Sequence, residues 1–93
     1  MPNPIPSVTR IVTCANVDSN GCVTPPVSNP FNGDLIFRCT ANCTIKVCEA
    51  NQVINGTLTV ESPCHVIFTG NLTVNGTVTG EVITEGSFSN PEN

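Results

Sequence analysis

Aliphatic and polar residues alternate through much of the second half of the chain. Leu72, Val74, Val78 and Val82 share one phase of a two-residue period, whereas Thr, Asn and Glu occupy much of the other phase. This alternation predicts short β-strands that each bury one face. Residues 34–85 are rich in Val, Ile, Thr and Leu and show no apolar stripe of 3.6-residue period, so we predict no helix.

The alternating segments also repeat. Cys43 aligns with Cys64 and, after one deleted residue, residues 51–57 align with residues 71–77, which gives a repeat of about 20 residues. A repeat of this length accommodates three short strands and three corners. It is typical of a coiled architecture in which each turn buries its apolar side on the next.

The dipeptide Asn-Gly begins at Asn20, Asn32, Asn55 and Asn75, and two architectures explain it. As a hairpin turn, the last pair would place aliphatic residues on both faces of the sheet. As a corner of a coil, it keeps them on one side. We therefore predict an all-β fold, a short disulfide-braced β-solenoid of about three turns. The alternative is a small antiparallel β-sandwich or meander built from Asn-Gly hairpins.

Composition divides the chain into three parts. Residues 1–31 hold six of the eight prolines and predict an extended Pro-rich arm, with one strand over residues 8–13. Residues 32–86 form the β-rich repeat domain, and residues 87–93 form a polar C-terminal tail. The first ten residues lack the features of a signal peptide, and no apolar run is long enough to cross a membrane, so we expect no membrane insertion.

One segment resembles a known family. The stretch GNLTVNGTVTGEV, within residues 53–84, is similar to the alternating Gly-aliphatic pattern of bactofilins, which are polymer-forming right-handed β-helix proteins. The resemblance implies a solenoid that polymerises through its ends and has no catalytic residues.

The six cysteines compensate for a thin core with only four aromatic residues, all Phe. An even number in a short chain predicts disulfides and an oxidising environment, either extracellular or on the surface of a virion or other particle. The sequence leaves all fifteen pairings open, although aligned Cys43 and Cys64 are suggestive neighbours. The predicted disulfide residues are Cys14, Cys22, Cys39, Cys43, Cys48 and Cys64.

Metal and catalytic sites are the competing interpretations. The pair Cys39 and Cys43 has acceptable spacing for zinc, but Cys48, Cys64 or His65 would have to complete the site. His65 and Cys64 are adjacent in a strand and point to opposite faces, so they cannot form a nucleophile pair. We therefore expect no metal, no cofactor and no enzymatic activity. The carboxylates of Glu81 and Glu85 are expected to be solvated.

Four Asn-x-Thr sequons mark possible N-glycosylation sites, at Asn42, Asn55, Asn71 and Asn75. The repeated Asn-Gly-Thr triplet generates two of them through turn chemistry alone, so glycosylation and turn formation remain alternative explanations. Turn positions are expected to be exposed.

The charge balance excludes nucleic acid as a partner. Only three Lys and Arg residues oppose seven carboxylates, so no basic face is available for phosphates. A neutral partner fits better, either another copy of the chain or a glycan.

These features predict a structural, self-assembling protein of an extracellular filament, sheath or particle surface. Solenoid ends or strand edges would stack, and Val8, Ile11 and Val12 of the arm would clamp a neighbouring subunit. The alternative is a monomeric module that binds glycans or ice through a flat Thr/Asn face, such as the pairs Thr57/Thr59 and Thr77/Thr79. A third hypothesis is a secreted disulfide scaffold that acts as an inhibitor or ligand and binds its partner through the loop over residues 25–31.

Overall fold

A computed structural model describes residues 8–91, and every described element is a β-strand. The described residues contain no helix that is long and apolar enough to span a membrane. The strands are β1 (Val8–Val12), β2 (Phe31–Phe37), β3 (Cys43–Val47), β4 (Asn51–Val60), β5 (Cys64–Phe68), β6 (Asn71–Val74), β7 (Val78–Thr79), β8 (Ile83–Thr84) and β9 (Phe88–Ser89).

All pairings between these strands are parallel. One sheet has the order β1-β2-β4-β6-β9, with β7 also pairing with β4, and the second has the order β3-β5-β8. The chain therefore coils through three rungs, over residues 31–50, 51–70 and 71–87, and β9 begins a further rung on β6. This confirms the β-solenoid of about three turns and rules out the antiparallel sandwich or meander.

The register follows the sequence repeat. Cys43 lies opposite Cys64 and Ile54 opposite Val74, as the alignment predicts. The long strand β4 bends at a corner, so that its first half pairs with β6 and its second half with β7. Each repeat thus supplies one extended segment to every side of the coil.

The interior is a narrow column of aliphatic side chains with three phenylalanines, Phe31, Phe37 and Phe68. Leu35 and Leu58 stack on neighbouring rungs and are fully buried. The rings of Phe37 and Phe68 meet edge to face, with centroids 6.4 Å apart and planes at 82°, a favoured aromatic geometry. Burial falls in the third rung, where Val78 and Val82 are only partly buried.

Residues 8–30, called here the N-terminal segment, pack onto the first rung. Strand β1 pairs with β2, and Cys22 forms a parallel bridge with Lys46 of β3. Val23 and Val27 are buried in the same core. Residues 1–7 of the predicted arm and residues 92–93 of the predicted tail lie outside the described residues.

The three predicted arm residues separate into two groups. Val12 is fully buried in the chain's own core, so it is unavailable to clamp a neighbouring subunit. Val8 and Ile11 are 58% and 44% exposed. Val12 lies opposite buried Phe37 in β2 and shares its inward direction, whereas Ile11 lies opposite half-buried Ile36 and has the outward direction.

Candidate functional site at the open end of the coil

The repeated asparagines form a ladder along one corner of the coil. The Asn55 side-chain amide donates to Oδ1 of Asn32 at 2.9 Å, and the Asn75 amide donates to Oδ1 of Asn55 at 2.8 Å. A second ladder joins Asn71 to Asn51 at 2.8 Å. Each bond connects one rung to the next, so the asparagines stabilise the stacking of the coil.

The glycines that follow these asparagines form a stack beside the ladder. A Cβ atom on Gly56 would lie 2.1 Å from the carbonyl oxygen of Gly33, and one on Gly76 would lie 1.9 Å from that of Gly56. No side chain fits at such distances. Three of the four Asn-Gly pairs are therefore corners of the coil. The fourth, Asn20-Gly21, lies in the reversal between Val17 and Val23, which form an antiparallel bridge.

Replacing Asn55 with alanine is expected to destabilise the coil by about 1–3 kcal/mol, because it removes one donor and one acceptor from the middle of the ladder. Asn75→Ala removes only the terminal bond and is expected to cost about 0.5–1.5 kcal/mol. Urea unfolding followed by circular dichroism measures both. Equal losses for the two variants would contradict an energetic role for the continuous ladder.

The sequons occupy different environments. Asn55, Asn71 and Asn75 use the very nitrogen that would carry a glycan to donate a ladder bond. Asn42 is exposed in the bend between β2 and β3 and takes part in neither ladder. A glycan on Asn42 would leave both ladders untouched, whereas one on Asn55 would replace a hydrogen of the amide that donates a ladder bond.

All six cysteines form disulfides, as predicted. The pairs are Cys14–Cys43, Cys22–Cys48 and Cys39–Cys64. Two of them tie the N-terminal segment to the first rung, and the third ties the first rung to the second. Three disulfides indicate an oxidising environment.

Cys43 and Cys64 are neighbours in register but not bonded to each other. Neighbouring parallel strands bring their backbones close, yet each of these cysteines bonds to a residue outside the paired strands, namely Cys14 and Cys39. Cys64 is buried beside Val66 whereas Cys43 is half-buried. The sequence alignment therefore predicts the proximity but not the bond.

Two of the disulfides lie against each other. Sγ of Cys43 is 3.2 Å from Sγ of Cys39, and the sulfurs of Cys14, Cys39 and Cys43 all lie within 4.8 Å of one another. In the oxidised chain these atoms are not thiolates, which are the form that binds zinc. Cys48, one of the predicted alternatives, belongs to the separate disulfide with Cys22.

The single histidine lines a cleft of about 360 Å³. The cleft also contains Ser62 and Glu81, which together with His65 are the residue types of a hydrolytic triad. However, all three residues are exposed, and no hydrogen bond joins His65 to either partner within the described residues. Cys64 is buried while His65 is exposed, so the two adjacent side chains point apart. The cleft does not hold a prearranged nucleophile and base.

One ion pair crosses the rungs on the outside of the coil. Nε of Arg38 lies 2.8 Å from Oε1 of Glu61, and a second guanidinium nitrogen donates to the other carboxylate oxygen at 3.1 Å. The hydrogen bonds from Arg38 lower the pKa of Glu61, and those to Glu61 raise the pKa of Arg38. The stabilisation that this ion pair gives the fold is therefore lost as the pH falls through the pKa of Glu61. Both groups are exposed, so the contribution is small.

The Thr-x-Thr pairs lie on one outer side of the coil. Thr59 pairs with Thr79 in register, but the same column continues through Ile36. Thr57 likewise lies opposite Asp34 on the preceding rung. The threonine surface therefore spans only two rungs, and on the next rung it is replaced by an aliphatic side chain and a carboxylate.

The two ends of the coil differ. At the N-terminal end, Arg10 occupies an inward register position opposite Leu35, and its guanidinium donates to the carbonyl oxygens of Pro25 at 2.7 Å and Pro26 at 3.3 Å. Buried Val23 and Val27 complete this cover. The chain therefore covers its own core at that end.

The C-terminal end lacks a comparable cover within the described residues. Phe88 lies opposite buried Leu72 and is 47% exposed, and Val78 and Val82 are only partly buried. Glu81 and Glu85, on the third rung, are exposed. We call this surface, the outer edge of β7, β8 and β9 with Val78, Val82 and Phe88, the open end.

A comparison of the chain with protein-family models, curated proteins and solved structures finds no match.

Proposed function

We propose that this chain is a structural, self-assembling subunit of an extracellular filament, sheath or particle surface. The observation that supports this function best is the open end, where inward-facing Phe88 is 47% exposed. Apolar side chains and strand edges at the end of a coil favour pairing with another chain. A second copy, stacked on this edge, would cover Phe88 and pair the free strand edges.

Head-to-tail stacking is the favoured arrangement. The outer strands β7, β8 and β9 pair on one side only among the described residues, as does β1 at the other end. Exposed Glu81 and Glu85 lie on the third rung, whereas Arg10 lies at the opposite end. Joining two open ends would bring Glu81 and Glu85 of one copy against those of the other, which a head-to-tail contact avoids. Repeated contacts of this kind produce open polymers.

Covalent bracing and glycans fit the same function. The disulfides fix the N-terminal segment and the first two rungs, which suits a subunit that must withstand an extracellular or particle-surface environment. A glycan on exposed Asn42 would leave both asparagine ladders intact.

The assembly proposal is tested by changing the open end. We expect the oxidised wild-type chain to form concentration-dependent oligomers in size-exclusion chromatography with light scattering. Phe88→Glu is expected to shift the population to monomer, because it places a carboxylate at an inward-facing position that the contact would bury.

The matched control is Ile83→Glu. Ile83 is 52% exposed, close to the 47% of Phe88, but it lies opposite half-buried Ile67 and points away from the interior. This variant is expected to retain the oligomers. A wild-type chain that stays monomeric at high concentration would refute the proposal, as would equal disruption by both substitutions.

The alternative of a monomeric module for ice or glycans receives less support. Its flat surface would need threonines on successive rungs, and Ile36 and Asp34 interrupt both columns after two rungs. A regular array is what recognition of a repeating lattice requires.

A further inference from the structure

We propose that Cys14, Cys39, Cys43 and Cys64 form a second kind of site, a tetrathiolate that binds Zn²⁺ when their two disulfides are reduced. The observation behind this is the contact between the two disulfides. Three of the sulfurs lie within 4.8 Å of one another, and the fourth, that of Cys64, is bonded to Cys39.

Three of the four sulfurs, those of Cys14, Cys39 and Cys43, are already close to the spacing that zinc requires. A Zn–S distance of about 2.3 Å in a tetrahedron places neighbouring sulfurs about 3.8 Å apart. The separation between Cys39 and Cys43 is 3.2 Å. Opening each disulfide moves its sulfurs apart from about 2.05 Å. Rotation of the released side chains, that of Cys64 above all, would bring the fourth sulfur to the other three.

The chemistry balances with a named reductant. Each disulfide takes two electrons and two protons from a dithiol, which becomes a cyclic disulfide, and yields two cysteine thiols. The four thiols then release four protons as their thiolates coordinate Zn²⁺, which is why such binding depends on pH. Oxidation by a disulfide donor reverses the sequence and releases the ion.

The metal would replace the two disulfides in their structural role. Cys14 belongs to the N-terminal segment, Cys39 and Cys43 to the first rung and Cys64 to the second rung. A single ion bound by all four residues would hold these parts together before oxidation. Structural zinc contributes directly to folding in small domains. The same cluster would thus stabilise the chain in a reducing environment and, as disulfides, in an oxidising one.

The test uses the full chain, reduced with a phosphine, which does not supply thiol ligands. Co²⁺ titration is expected to produce the visible bands and sulfur-to-cobalt charge transfer of a tetrahedral tetrathiolate, with one ion per chain. Zn²⁺ is expected to displace Co²⁺ and to restore the β-sheet circular dichroism of the reduced chain.

Two variants, each with four cysteines, distinguish zinc binding by a site that the fold preorganises from zinc binding by an unfolded chain. Cys22→Ser/Cys48→Ser keeps the proposed ligands and is expected to bind with wild-type affinity. Cys14→Ser/Cys22→Ser keeps Cys48 in place of Cys14. Its affinity is expected to fall by more than 100-fold, beyond the roughly 10–100-fold that loss of an outer-shell partner costs.

Equal affinity of the two variants would overturn the proposal, because it would show binding by any four thiols. So would a reduced wild-type chain that lacks the tetrathiolate spectrum or whose fold Zn²⁺ fails to restore.

Discussion

Replacing Gly56 with alanine is expected to destabilise the domain by about 4 kcal/mol or more, among the largest effects of a single substitution. The new Cβ would lie 2.1 Å from the carbonyl oxygen of Gly33, and Gly56 has a φ of +149°. The backbone at Gly33 cannot move away from the new Cβ without separating β2 from β4. Since small domains have total stabilities of about 5–15 kcal/mol, the variant loses much of its stability.

The control is Gly21→Ala. Gly21 has a φ of +82° but a Cβ there would meet nothing within 4 Å. Gly21→Ala is therefore expected to cost only the strain of a positive φ on an alanine, about 1–2 kcal/mol of stability. Thermal and urea unfolding of the oxidised chains measure both effects. A loss at Gly56 no larger than that at Gly21 would show that the rungs separate easily at this corner.

Reduction of all three disulfides in the absence of metal is expected to unfold the chain. The crosslinks span 29, 26 and 25 residues, and the chain-entropy relation assigns each about 3.5 kcal/mol. The loops overlap, so the sum is an upper bound, yet it is comparable to the whole stability of a domain of this size.

Circular dichroism and hydrogen exchange with a reductant and a chelator provide the measurement. The Cys22→Ser/Cys48→Ser variant, kept oxidised, is the control and should remain folded because two crosslinks persist. A reduced, metal-free chain with unchanged β-sheet signal and a cooperative transition would show that the aliphatic core suffices alone.

The sequence predicts the coil because its repeat encodes the register directly. Val74 aligns with Ile54 and Phe68 with Val47, and each pair occupies equivalent inward positions. The alternation of the last segment correctly predicts buried Leu72 and Val74. It overstates burial for Val78 and Val82, because periodicity shows which way a side chain points but not whether a further rung covers it.

The disulfide pairs and the cover of the N-terminal end were not predictable in the same way. Cys14 and Cys22 lie outside the repeat, so no alignment places them beside Cys43 and Cys48. Arg10 illustrates the same limit for the cover. It has the inward phase of its strand, yet its partners are carbonyl oxygens of Pro25 and Pro26, contributed by a loop that closes back over the coil.

The distribution of cysteines crosslinks one end of the coil and leaves the other end without a covalent link. All six lie at or before Cys64, so the final winding is held only by hydrogen bonds and packing. Such a boundary can open and reclose while the remainder stays locked. A second copy that stacked on the open end would thus contact a rung that can adjust its position. It could bind or dissociate without the cleavage of any covalent bond.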